Sequence, residues 1–129
     1  MTYGKKKINL LYEDLTYKIR GMLFQVQNEI GRFAKEKQYA GLIETKIIAK
    51  GWTYRREERI SDSGNVIDFI IQDKVILELK AKPFLLKLDY YQLQRYLQFS
   101  QIKLGILVNF RSPYLNPKRV LLAESVDIR

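Results

Sequence analysis

Three charged side chains interrupt two apolar runs, residues 66–71 and 75–81, that are typical of buried β-strands. They are Asp68, Glu78 and Lys80. Burying an unpaired charge costs several kcal/mol or more, so such groups need a partner or a cation. Two carboxylates and an ammonium group are the components of a metal-dependent hydrolytic site. Oxygen ligands suit Mg²⁺, Mn²⁺ or Ca²⁺, and a lysine can stabilise negative charge as it develops.

Whether the three charges meet depends on the turn between the two runs. Glu78 and Lys80 are two residues apart, so their side chains share one face of a strand. A two-residue loop would turn Asp68 to the other face. A three-residue loop at residues 72–74 would pair Asp68 directly with Glu78, with Cβ atoms ~4.5–5.5 Å apart. We predict the three-residue loop, because it lets the charges satisfy one another or share a cation.

This arrangement predicts a division of roles among the residues. Asp68, Glu78 and the backbone carbonyl of Leu79 would hold one Mg²⁺ or Mn²⁺ ion, which would polarise a scissile phosphate and acidify a bound water. Lys80 would orient that water or neutralise charge on the phosphorus. The competing interpretation is a structural ion pair between Lys80 and the two acids, because D…ExK patterns also arise by chance. Spacing alone leaves both open.

Composition narrows the chemistry. The 129-residue chain contains no cysteine and no histidine, which excludes disulfides, thiolate zinc sites and histidine-based triads. Any metal must therefore bind to oxygen. The net charge of +9 favours polyanionic partners, nucleic acid first, although many basic domains bind none. No run of apolar residues approaches the ~18–20 that a membrane span requires, and no signal peptide is evident, so we expect a soluble, cytoplasmic protein without membrane contact.

The hydrophobic pattern predicts the elements that position these residues. Apolar spacing of three and four indicates helices over residues 11–30, 34–48 and 86–99, with Ile48 and Leu86 among the inward positions. The pattern changes after Gly51 and predicts strands at 52–59, 66–71, 75–81 and 102–110, with a last edge strand at 120–123. This order is typical of an α/β fold or α+β sandwich in a single domain, residues 1–129, with residues 1–8 as a flexible basic tail.

Further motifs surround the charged residues in a fixed order. They are Ile67-Asp68, LELKA at 77–81, QLQRYL at 92–97, GILVNF at 105–110 and KRV at 118–120. The set resembles the PD-(D/E)XK nuclease superfamily, and more closely the small proteins named for a GxxExxY motif. That motif falls on residues 33–39, where Glu36 and Tyr39 match but Phe33 stands in place of glycine. Gln27 likewise stands where members of that group tend to carry a histidine.

The resemblance implies a restriction-endonuclease-like core of order αβββαβ, with a mixed four-stranded sheet flanked by helices. It implies that Glu36 binds the metal directly or through water, and that Gln92 lies on the helix bordering the site, on one face with Tyr96. It further implies a Mg²⁺- or Mn²⁺-dependent enzyme acting on DNA, and a possible homodimer. The alternative is a catalytically silent nuclease-like module that binds nucleic acid or a partner protein. Without the resemblance, Glu36 is most simply a solvated helix charge.

Overall fold

The computed structural model describes residues 11–61 and 64–124 of the chain. In chain order their elements are α1 (Glu13–Ile30), α2 (Glu36–Lys50), β1 (Tyr54–Arg59), β2 (Val66–Ile71), β3 (Val75–Lys80), α3 (Lys87–Ser100), β4 (Leu104–Asn109) and β5 (Lys118–Leu121). The predicted order of helices and strands is confirmed, and most of the predicted bounds differ from the observed ones by one or two residues. The expected flexible tail, residues 1–8, lies outside the described residues.

The strands form one mixed sheet in the order β1-β2-β3-β4-β5. All neighbouring strands run antiparallel except β3 and β4, which are parallel and joined by α3 as a crossover helix. The predicted α+β class and mixed sheet are confirmed. The resemblance implied four strands, whereas this sheet has five, with β5 at the edge beside β4. Because β3 and β4 are parallel, their carboxyl ends meet at one edge of the sheet, close to where α3 begins.

Helices cover both faces of the sheet. On one face α1 and α2 pack on the sheet through Ile19, Val26 and Ile43; on the other, α3 packs through Leu93 and Leu97. A Cβ at Gly105 would lie 2.9 Å from Leu93 Cδ1, so glycine allows α3 to approach β4 closely. No helix in the described ranges is long and apolar enough to cross a membrane.

Two predicted core positions are wrong. Ile48 is 60% exposed, because the buried stripe of α2 follows Tyr39, Ile43 and Ile47, and the residue after Ile47 is rotated about 100° away from it. Leu86 is 53% exposed, because α3 begins only at the next residue and Leu86 itself has extended backbone. Periodicity finds a helix more reliably than it finds its first or last turn.

The hairpin register follows the prediction. Ile71 pairs with Val75 and Phe69 with Leu77, which leaves the three-residue loop 72–74. Gln72 and Asp73 have left-handed φ values of 54° and 56°, and the Lys74 N–H donates to the Ile71 carbonyl at 3.0 Å. One step further along this register lie Asp68 and Glu78, but the backbone pairing ends at Phe69 and Leu77, so the predicted direct pairing of the two acids is not observed.

Candidate active site

The pairing of β2 with β3 ends where the two acids begin. Beyond the Phe69–Leu77 pair, the Asp68 N–H donates to Glu78 Oε1 at 3.0 Å, and the Leu79 N–H donates to Asp68 Oδ2 at 2.8 Å. Each carboxylate thus takes the place of a backbone carbonyl on the facing strand. The two strands separate at this point, and both side chains are fixed in the gap.

The strand on the other side is also distorted beside Asp68. Arg56 pairs with Phe69 and Glu58 with Ile67, but Glu57 and Asp68 between them are not paired. Glu57 has a φ of 56°, in the left-handed region that non-glycine residues rarely adopt within a strand. Such strain tends to collect at functional sites. Asp68 is therefore released from regular pairing with both neighbouring strands.

The two carboxyl groups lie in an environment that disfavours charge. Burial raises the pKa of Glu78 to about 9, and the nearby charge of Asp68 adds to this. Burial likewise raises the pKa of Asp68, although the hydrogen bonds from the Leu79 N–H and from Glu78 oppose the shift. Within the described residues neither acid has an ion pair with a lysine or arginine.

Lys80 pairs elsewhere. Its ammonium group donates to Gln92 Oε1 at 3.0 Å and lies 3.7 Å from Asp89 Oδ1, both on α3. The alternative of a structural ion pair between Lys80 and the two strand acids is therefore not observed. The structure brings Lys80 and Gln92 together at the carboxyl end of β3.

Asp89 is the residue that sequence reasoning missed. Its buried carboxylate accepts hydrogen bonds from Lys82 Nζ at 2.9 and 3.0 Å and from the Leu86 N–H at 2.7 Å. Burial alone would raise the pKa of Asp89, but these hydrogen bonds and the charges of Lys80 and Lys82 lower it below its ordinary value. An acidic residue in the first turn of a helix was the available signal, since that position commonly binds free N–H groups.

Glu36 approaches the strand acids from α2. It lies in the first turn of that helix, where the Ala81 N–H is close enough to its carboxylate to oppose the rise in its pKa. Burial and the charge of Asp68 raise its pKa, while Lys80 and Lys82 oppose the shift. A cavity of about 160 Å³ with Glu36, Asp68 and Leu79 in its lining is large enough for several water molecules.

The donor set of this region fits a hard divalent cation. In residues 11–61 and 64–124 no three acidic side chains are close enough to hold a metal ion together, so Glu36 does not join Asp68 and Glu78 in such a group. Mg²⁺ is usually bound by only one or two carboxylates and keeps several waters. The Leu79 N–H points at Asp68, and the carbonyl of an extended residue points to the same side as its N–H, so Leu79 offers a third oxygen.

Three other residues from the positions and motifs singled out in the sequence have structural contacts. Gln27 Nε2 donates to the carbonyls of Phe110 and Ser112, both at 2.9 Å, and so ties α1 to the segment after β4. The Tyr39 ring is fully buried and stacks on Phe110 with centroids 4.2 Å apart. Asn109 uses its amide to hold Lys82, with hydrogen bonds of 3.1 and 2.8 Å to the backbone N–H and carbonyl.

Comparison with known proteins gives one match. A sequence model of the PD-(D/E)XK nuclease superfamily matches residues 13–120, which include every residue placed at the site above. Searches of curated proteins and of solved structures gave no significant match.

Proposed function

Since this chain belongs to the PD-(D/E)XK nuclease superfamily, we propose that it is a divalent-metal-dependent deoxyribonuclease of the GxxExxY group, built as a single domain. The observation that carries the proposal is the pair Asp68 and Glu78, held in contact where β2 and β3 separate. Lys80 lies on β3, the strand that also carries Glu78. A buried pair of acids without a basic partner destabilises a fold. Its presence is best explained by a cation that the pair serves to bind.

Asp68, Glu78 and the Leu79 carbonyl are the groups that would hold Mg²⁺ or Mn²⁺. When bound, such an ion supplies Lewis-acid polarisation of a phosphate and lowers the pKa of a water molecule. Glu36 and Leu79 both line the cavity of about 160 Å³, so Glu36 suits contact with the ion through water. Hydrogen bonds from the Asp68 and Leu79 N–H groups keep the two carboxylates in place.

Lys80 is the cation that faces the substrate in this proposal. Gln92 and Asp89 hold its ammonium group from α3, so its position is set before substrate arrives. There it can orient an attacking water or stabilise the negative charge that builds on the phosphate oxygens. Gln92 acts by positioning Lys80. The net charge of +9 supports a polyanionic substrate, and we propose DNA.

The test is cleavage of labelled single- and double-stranded DNA by the purified protein in Mg²⁺, in Mn²⁺ and in EDTA. We expect cleavage that needs the metal and stops in EDTA. RNA of the same sequence serves as the comparison substrate. Binding of DNA without cleavage in either metal would contradict the enzyme and favour a nuclease-like module that only binds nucleic acid.

Replacing Asp89 by asparagine should slow cleavage by about 10- to 100-fold, because Lys80 loses the anion that helps to hold it and small misplacements at an active site are costly. The substitution keeps the side-chain shape and the acceptor for the Leu86 N–H. Because Asp89 is not one of the proposed metal ligands, the rise in melting temperature on adding Mn²⁺ should remain. Initial rates at saturating DNA and thermal melts with and without Mn²⁺ measure the two effects. Loss of the metal response would show that Asp89 acts on the metal site or on the fold as a whole.

A further inference from the structure

The connection between α1 and α2 presents an aromatic ring to solvent. The Phe33 side chain is 73% exposed, and the Cζ atoms of Arg32 and Arg111 lie 4.6 and 5.7 Å from the centroid of its ring. A single exposed apolar residue needs no explanation, but an exposed ring with two guanidinium groups against it combines apolar surface with concentrated positive charge. We name these three residues the Phe33 platform.

The platform is part of a well-ordered connection. Arg32 Nε donates to the Arg111 carbonyl at 2.9 Å, which joins the connection to the segment after β4. The Tyr39 hydroxyl donates to the Gly31 carbonyl and accepts a hydrogen bond from the Ala34 N–H at 3.2 Å. A surface that is already fixed loses little conformational entropy when a ligand binds.

The platform borders the proposed metal site. Phe33 precedes Glu36 by three residues, so their Cα atoms are at most ~11 Å apart. Arg111 Nη2 donates a hydrogen bond to the Ala81 carbonyl at 3.2 Å. Ala81 directly follows Lys80. A nucleotide bound on the platform would therefore lie next to the phosphate at the site.

We infer that the Phe33 platform stacks an unpaired base of single-stranded DNA beside the phosphate to be cut; this inference rests on the proposed nuclease function. Aromatic rings stack on bases of any type, and arginines bind phosphate without regard to sequence. In a duplex each base face is covered by its neighbour, so a single ring at the site selects for an unpaired nucleotide. The platform thus specifies the substrate class: single-stranded DNA, or a single-stranded end or flap on a duplex.

The test is binding in EDTA, where no metal-dependent cleavage can occur. Fluorescence anisotropy with a labelled oligothymidylate should show that Phe33→Ala and Phe33→Leu weaken binding about 5- to 140-fold, the range that ~1–3 kcal/mol per stacked base gives at ~1.4 kcal/mol per tenfold. Phe33→Trp should restore it. Binding of a blunt duplex should change less than about twofold. Phe99→Ala is the matched control, since Phe99 is 53% exposed but lies near the end of α3 that is remote from Lys80.

The outcomes separate the platform from the enzyme. If the Phe33 variants lose the same amount of affinity for single strands and for duplex, or lose none, the inference of a base-stacking platform is overturned, even if the protein cleaves DNA. Loss confined to single strands supports the platform even if no metal produces cleavage, in which case only the proposed nuclease activity fails. The leucine variant keeps an apolar side chain at position 33. If its melting temperature equals that of the unsubstituted protein, its loss of binding is not caused by misfolding.

Discussion

Replacing Lys80 by methionine is expected to reduce metal-dependent DNA cleavage by at least ~10²–10³-fold, the loss that follows removal of one preorganised charge-stabilising donor. Methionine keeps the length and apolar stem of lysine and removes only the ammonium group. Gln92 and Asp89 lose a hydrogen bond and an ion-pair partner, but Asp89 retains its bonds to Lys82. Single-turnover rates with saturating DNA measure the effect on the chemical step rather than on binding.

Lys103→Met is the matched control. Lys103 is exposed and directly precedes β4, whereas the site lies at the far end of the parallel strands β3 and β4. Six residues of extended strand span ~20 Å, so this lysine is remote from the proposed metal ligands. Its loss should change the rate less than about twofold at fixed salt. Equal rates for the two variants would remove Lys80 from the proposed mechanism.

Replacing Asp68 by asparagine or Glu78 by glutamine is expected to abolish the stabilisation of the protein by metal. In the unsubstituted protein, Mn²⁺ at a hundredfold excess over its Kd should raise the melting temperature by about 5–10 °C. Either amide removes one of the two proposed carboxylate ligands. In EDTA the same variants should melt about 2–5 °C higher than the unsubstituted protein, because each relieves the contact between two buried acids while keeping an oxygen to accept the backbone N–H.

In EDTA, the difference in melting temperature between the Glu78→Gln variant and the unsubstituted protein should grow with pH. A carboxyl whose pKa is raised in the folded state binds its proton more tightly there, so its contribution to stability falls as pH rises from ~4.3 towards the folded value of about 9. Glu78→Gln removes this loss of stability, so the variant should exceed the unsubstituted protein in stability by the largest margin near pH 9. Asp73→Asn, an exposed acid in the turn of the same hairpin, is the control and should respond to metal normally. Lower stability of both amide variants in EDTA, with no metal response in the unsubstituted protein, would make the acids architectural.

Much of the framework was predictable because it depends on neighbours in sequence. Apolar periodicity located the helices and strands, and the three-residue turn at 72–74 set the register that brings Asp68 next to Glu78. Strand pairing alternates with a period of two, so one correct turn length determines which residues share a face. The positions of Asp68, Glu78 and Lys80 on two adjacent strands followed from these local rules.

Contacts between distant segments were decided only by the tertiary structure. From sequence, Lys80 has equal reason to pair with the strand acids or with Asp89, the single acid of α3. Packing of α3 on β4 across Gly105 placed Gln92 and Asp89 within its reach. Arg111 and Phe33 likewise meet because the ends of α1 and β4 lie together. The spacing of residues along the chain does not predict such contacts, because these contacts depend on how the helices are oriented on the sheet. The sequence by itself therefore determined the acids and the strands that carry them, while the packing of helices on the sheet determined which groups surround those acids.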